Sequence, residues 1–105
     1  MIIIASEDIA NLLVKGTSRK YIKVARNRIL YDGLKRTIKI MQAIDSIDEI
    51  KKYSFLHYEK LKYNYSGLSS VRLSNGYVER LIFREFDDAI TLELIEINED
   101  HYGNK

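Results

Sequence analysis

The hydrophobic rhythm of this chain changes once, and that change commits it to helices first and a sheet second. As far as Tyr53 apolar residues recur at helical spacing, whereas beyond it short runs of Ile, Leu, Val and Phe are separated by turn residues. Ile2-Ile3-Ile4 is a β-branched run that predicts a first strand. Glu7 to Lys15 predicts a helix, with Ser6 at its N-cap, acids in its first turn and Gly16 just past its end. Thr17 or Ser18 can cap a long second helix, roughly Lys20 to Ile44, whose apolar face includes Ile22, Ala25, Ile29, Leu34, Ile38 and Met41. Gly33 inside it costs about 1 kcal/mol relative to Ala and marks a kink or a close approach. Ser46-Ile47-Asp48-Glu49 has capping-box form and predicts a short third helix ending near Tyr53.

The second half reads as a meander. Ser69 to Leu73 and Tyr77 to Phe86 flank Ser74-Asn75-Gly76, and Asn-Gly is a strong hairpin turn signal. Asp87-Asp88 makes another turn before a strand from Ala89 to Ile97. Tyr58 to Tyr63 predicts one more strand, or an extended approach to the sheet, closed by Ser66-Gly67. The expected fold class is α+β: an N-terminal strand and two to three helices packed on one face of a small antiparallel β-sheet. Such a sheet leaves its other face open, and chemistry belongs there.

Residues 1–105 are expected to form a single domain, since a chain of this length has room for one core. There is no cysteine, which excludes disulfides and thiolate metal sites. No apolar run approaches the roughly 20 residues of a membrane span. Met1-Ile2-Ile3-Ile4 is too short for a signal peptide. These points predict a cytoplasmic, bacterial protein with no membrane partner. Net charge is only +2, yet nine basic residues lie between Lys15 and Lys39 against the single acid Asp32. That stripe suits nucleic acid or an acidic partner, and a solvated helix face would produce it equally well.

The candidate chemistry lies in the second half. Both histidines, His57 and His101, are there, with Lys60, Lys62, Arg72, Arg80, Arg84, Asp100 and Tyr102. Strand residues two apart share a face, so Lys60 pairs with Lys62 and Arg80 with Arg84. Glu59, Glu79 and Glu85 occupy alternate positions, so solvent-facing ion pairs would give the same pattern, and Arg72 can pair with Glu79 or Glu93. Guanidinium forks match phosphate oxygens and stay charged, which makes Arg72 and Arg80 natural clamps. Lys60 and Lys62 add point charges, and His101 can move a proton near neutral pH. Asp100 can orient it, and Tyr102 can stack on an unpaired base. No cluster of acids and histidines stands at metal-ligand spacing, so no metal or other cofactor is expected.

Taken in order, these pieces resemble the RelE/ParE toxin superfamily, and within it the HigB-like branch. The resemblance runs from the basic helical half through His57-x-x-Lys60-Leu61, Ser70-Val71-Arg72 and Arg80-Leu81-Ile82-Phe83 to Asp100-His101-Tyr102. It implies the toxin of a type II toxin–antitoxin pair, a metal-independent endoribonuclease (mRNA interferase) that cuts mRNA in the 70S ribosome. Its partners would be the ribosome, mRNA and a cognate helix-turn-helix, HigA-like antitoxin. Lys60, Arg72, Arg80, His101 and Tyr102 then become the catalytic set, and His57, Lys62, Arg84 and Asp100 the RNA-binding set. The sequence departs from the branch where His101 and Tyr102 are exchanged and where Glu79 replaces an aromatic before Arg80. The alternative within the superfamily is a ParE-like DNA gyrase inhibitor with no nuclease activity.

Overall fold

A computed structural model describes residues 1–99, so Asp100, His101 and Tyr102 lie outside the described residues. Strand β1 (Ile2–Ala5) is followed by three helices: α1 (Glu7–Lys15), α2 (Ile22–Arg26) and α3 (Arg28–Ala43). Two 3₁₀ segments, Ile47–Lys52 and Ser54–Leu56, lead to β2 (Glu59–Lys60). A further 3₁₀ turn at Tyr63–Tyr65 precedes β3 (Ser69–Arg72), β4 (Arg80–Glu85) and β5 (Thr91–Asn98). The sheet order is β1-β5-β4-β3-β2, antiparallel except that β1 runs parallel to β5. The α+β expectation holds, with this one parallel pair added by the chain's crossing of the helix layer before it returns.

The long second helix divides in two. Asn27 leaves helical geometry, and its side-chain oxygen accepts from the N–H groups of Ile29 and Leu30 at 3.0 and 3.2 Å. An Asx cap satisfies two orphan donors of α3, which outweighs continuing an apolar periodicity through a residue of weak helix propensity. Neither Thr17 nor Ser18 caps α2, whose N-cap is Tyr21 with no side-chain cap bond; the Ser18 hydroxyl instead accepts from Tyr21 N–H at 2.9 Å in the turn that leads into the helix. Ser6 sits at the N-cap of α1 but makes no side-chain cap bond. Glu49 accepts from the N–H groups of Asp45 and Ser46, while the segment it opens winds as 3₁₀ helix. Gly33 marks close packing: a Cβ there would lie 2.1 Å from the Leu73 carbonyl oxygen at the end of β3.

One core fills the space between helices and sheet. Ile9, Leu12, Leu34 and Met41 meet Val71, Leu81, Phe83, Leu92, Leu94 and Ile97, all essentially buried. Strict alternation would put Leu92 and Leu94 on the face opposite Ile97. The register resolves the conflict: Ile82 pairs with Glu96 while Phe83 pairs with Leu94, leaving Ile95 as an extra residue in β5. This bulge keeps all three apolar residues on the helix side. Burying them outweighs the local break in the ladder.

Candidate functional site

The bulge also decides what the other face carries. Cross-strand partners share a face, and Arg80 pairs with Arg72 on one side and Asn98 on the other. The row Arg72–Arg80–Asn98 therefore crosses the sheet on the face away from the helices. Glu59 pairs with Ser70, which in turn pairs with Ile82 on that same face. The 61–68 segment folds over part of it. Leu61, Tyr65 and Leu68 pack on Ile82, and Asn98 Nδ2 donates to Tyr65 Oη at 3.0 Å.

Arg80 stands at the centre and is deeply seated, with 7% of its side chain exposed. Its Nε donates to Ser70 Oγ at 2.8 Å, Nη2 donates to the His57 carbonyl, and Glu59 Oε1 lies 3.6 Å from Nη2. A guanidinium held by hydroxyl, carbonyl and carboxylate is fixed in direction and keeps its charge. Arg72, directly across, is half-buried, and its Nε is buried with no hydrogen-bond partner among the described residues. Two like charges placed opposite one another repel, and an unpaired buried donor adds a desolvation cost. An anion seated between them relieves both. The Glu59 carboxylate, 44% exposed, is the accessible acid beside this pair. A proton acceptor next to a cationic cradle is what general-base chemistry on a phosphodiester requires.

Other predicted site residues fall elsewhere. Lys60 pairs with Ser69, whose partner Phe83 faces the core, so it projects to the side of the sheet opposite Arg80. Lys62 is exposed in extended backbone at the head of the 3₁₀ turn. His57 is exposed and contributes its carbonyl to Arg80, adopting a left-handed backbone at φ 49°. Arg84 shares Arg80's face but closes an ion pair with Glu93 and lies over the Phe86 ring at 5.5 Å. Strand parity read in isolation made Glu59 a solvent partner for its neighbours. Only the pairing with Ser70 brings it to Arg80.

Behind β2 lies a second polar cluster. Tyr58 Oη and Ser69 Oγ each donate to Glu85 Oε2 at 2.7 Å. The Tyr58 ring leans on Phe83 at 6.3 Å, and Lys51 Nζ sits 5.8 Å from its centre. Burial is the main cause that pushes the Tyr58 phenol up to about 12, with the Glu85 carboxylate adding to it against the opposing Ser69 hydrogen bond.

The basic stripe lines grooves on the helix layer instead. One, of about 590 Å³, runs between α1 and α2 and is bordered by Lys15, Arg19, Lys20 and Arg26 with Asp8. Among the described residues no three acidic or imidazole groups come together as metal ligands would, and no helix is long and apolar enough to cross a membrane.

No family model matches the chain, and no curated protein matches it. Among solved structures it is similar to a YoeB/ParE toxin from Agrobacterium tumefaciens, with 14% sequence identity and a TM-score of 0.58. The superposition covers 95% of this chain and 99% of that one. At so low an identity the likeness is one of fold alone.

Proposed function

We propose that this chain is the toxin of a type II toxin–antitoxin pair, that residues 1–105 act as one toxin domain, and that it cleaves mRNA on the ribosome. The carrying observation is the Arg72–Arg80 pair facing one another across β3 and β4, with an Arg72 Nε that has no partner among the described residues and the Glu59 carboxylate alongside. The shared fold and the sequence resemblance point the same way, the resemblance favouring the HigB-like branch. A scissile phosphate seated on Arg72 is stabilised as its charge grows in the transition state. Glu59 takes the proton of the ribose 2′-hydroxyl, and the 2′-oxygen attacks phosphorus. The bond to the 5′-oxygen breaks, leaving a 2′,3′-cyclic phosphate and a 5′-hydroxyl. His101 supplies the proton that the departing 5′-oxygen takes up, with Asp100 orienting it and Tyr102 stacking on a base.

Lys62 acts as a point charge toward the RNA backbone, whereas Lys60, on the other side of the sheet, stands away from the scissile phosphate, and the Lys15–Lys39 stripe gives ribosomal affinity that falls steeply with salt. The cognate antitoxin is a helix-turn-helix, HigA-like protein, and the pair works in the bacterial cytoplasm. The depth of Arg80 favours a second reading. A guanidinium already held by Ser70, His57 and Glu59 suits a structural tie, as in a ParE-like gyrase inhibitor that cuts nothing.

Induced expression with primer extension on a reporter mRNA separates the two. The nuclease reading expects in-frame cuts that disappear in Arg72→Ala, Glu59→Gln and His101→Ala. Growth arrest with no cuts, accompanied by failure of gyrase supercoiling, would overturn it in favour of the inhibitor.

A further inference from the structure

The cluster behind β2 lies on the helix side of the sheet, and every residue in it adjoins one on the open side. Tyr58 lies between His57, whose carbonyl accepts from Arg80 Nη2, and Glu59, whose carboxylate lies 3.6 Å from the same nitrogen. Ser69 is followed by Ser70, whose hydroxyl accepts from Arg80 Nε at 2.8 Å. Glu85 belongs to β4, the strand that carries Arg80. The sheet is thus stitched through β2, β3 and β4 from both sides, by Glu85 on the helix side and Arg80 on the open side.

The stitch has a reason to exist. β2 pairs over only two residues, too few to hold a strand edge by its ladder. His57 is held left-handed, which costs a non-glycine residue about 1 kcal/mol or more. Left to itself, this segment would relax and take the His57 carbonyl and the Glu59 carboxylate away from Arg80. Glu85 Oε2, accepting from both Tyr58 and Ser69 at 2.7 Å, opposes that relaxation.

We infer that Tyr58, Ser69 and Glu85 are positioning residues: acting through the backbone of 57–59 and 69–70, they set the Arg80 guanidinium and the Glu59 carboxylate in working geometry. The inference deepens the nuclease reading and rests on it for its kinetic consequence, while its structural consequence stands apart. Both donors meet one carboxylate oxygen, so the required property is an acceptor. Glu85→Gln retains one, and Glu85→Met keeps the length without it.

The test uses the full chain with nitrogen-labelled arginine, following solvent exchange of the Arg80 Nε–H, alongside single-turnover cutting of ribosome-bound mRNA. Wild type and Glu85→Gln are expected to hold Arg80 Nε–H protected. In Glu85→Met and Tyr58→Phe that protection and kcat should both fall about tenfold, equivalent to one good hydrogen bond, with KM for the ribosome unchanged. Should Glu85→Met not fold, Tyr58→Phe carries the test, since it removes a single hydroxyl. Unaltered Arg80 protection in folded Tyr58→Phe would overturn the inference, as would Glu85→Met behaving like Glu85→Gln. A wild type that cuts no RNA but shows the Arg80 response overturns the nuclease reading and supports the positioning.

Discussion

Single residues in this protein carry consequences that their sequence neighbours do not announce. Gly33 is required by a carbonyl from another element: the Leu73 oxygen occupies the space a side chain would need, and backbone cannot give way cheaply. Gly33→Ala is therefore expected to destabilise the fold by roughly 2 kcal/mol or more despite the better helix propensity of alanine, read as a lower urea midpoint at unchanged slope. Tyr58 makes a different forecast. Its phenol titrates near 12 in the folded state and at the ordinary 10 when unfolded. The contribution is complete below pH 10 and is lost as pH rises from 10 toward 12, because the unfolded chain releases that proton first. Tyr58→Phe should flatten the decline of stability over that window. In wild type, tyrosinate absorbance should show Tyr58 ionising late.

At the level of elements, caps and turns decide where the chain breaks. Asn27 divides one apolar periodicity into two helices by accepting from two backbone donors. Asn27→Ala should cost about 1 kcal/mol, measured by thermal unfolding, and should leave the sheet face intact. The β4–β5 turn rests on Asp88, which accepts from Ile90 N–H at 2.9 Å and from the backbone and hydroxyl of Thr91 at 3.0 and 2.7 Å. The Ile90 bond, then the Thr91 hydroxyl, hold the Asp88 carboxyl below its ordinary value. Its support is therefore present above the unfolded aspartate value of 3.8 and is lost as pH falls through the folded one. Asp88→Asn should blunt the acid limb of a pH–stability profile. The bulge at Ile95 was legible in principle, because Leu92 and Leu94 break parity with Ile97. Locating it needed the facing residues of β4.

Across the whole molecule, charge is divided between two faces. The basic stripe lines grooves on the helix layer, and the guanidinium pair lies on the opposite face of the sheet. Removing either arginine should separate stability from activity. Arg80→Ala removes the donor to the His57 carbonyl and to Ser70 and the cation beside Glu59, and is expected to cost about 3 kcal/mol, as loss of one partner of a buried charge does. Arg72→Ala removes a like charge and an Nε–H that has no partner among the described residues. It should leave the unfolding free energy from urea titration within about 0.5 kcal/mol of wild type while abolishing RNA cutting. Equal losses of stability in both would argue that the pair is structural.

The order of helices before sheet, the Asn75-Gly76 hairpin, the apolar face of α3 and the candidacy of Arg72 and Arg80 are local properties, and the amino-acid sequence was enough to determine them. Register is not local. Whether Glu59 or Lys60 stands beside Arg80 depends on one residue of offset between β2 and β3, and a shift of one turns every side chain to the other face. That offset is held by the bonds that Glu85, on a third strand, makes to Tyr58 and Ser69 behind the sheet. Tertiary structure alone decided that a carboxylate, rather than an ammonium group, adjoins the buried guanidinium.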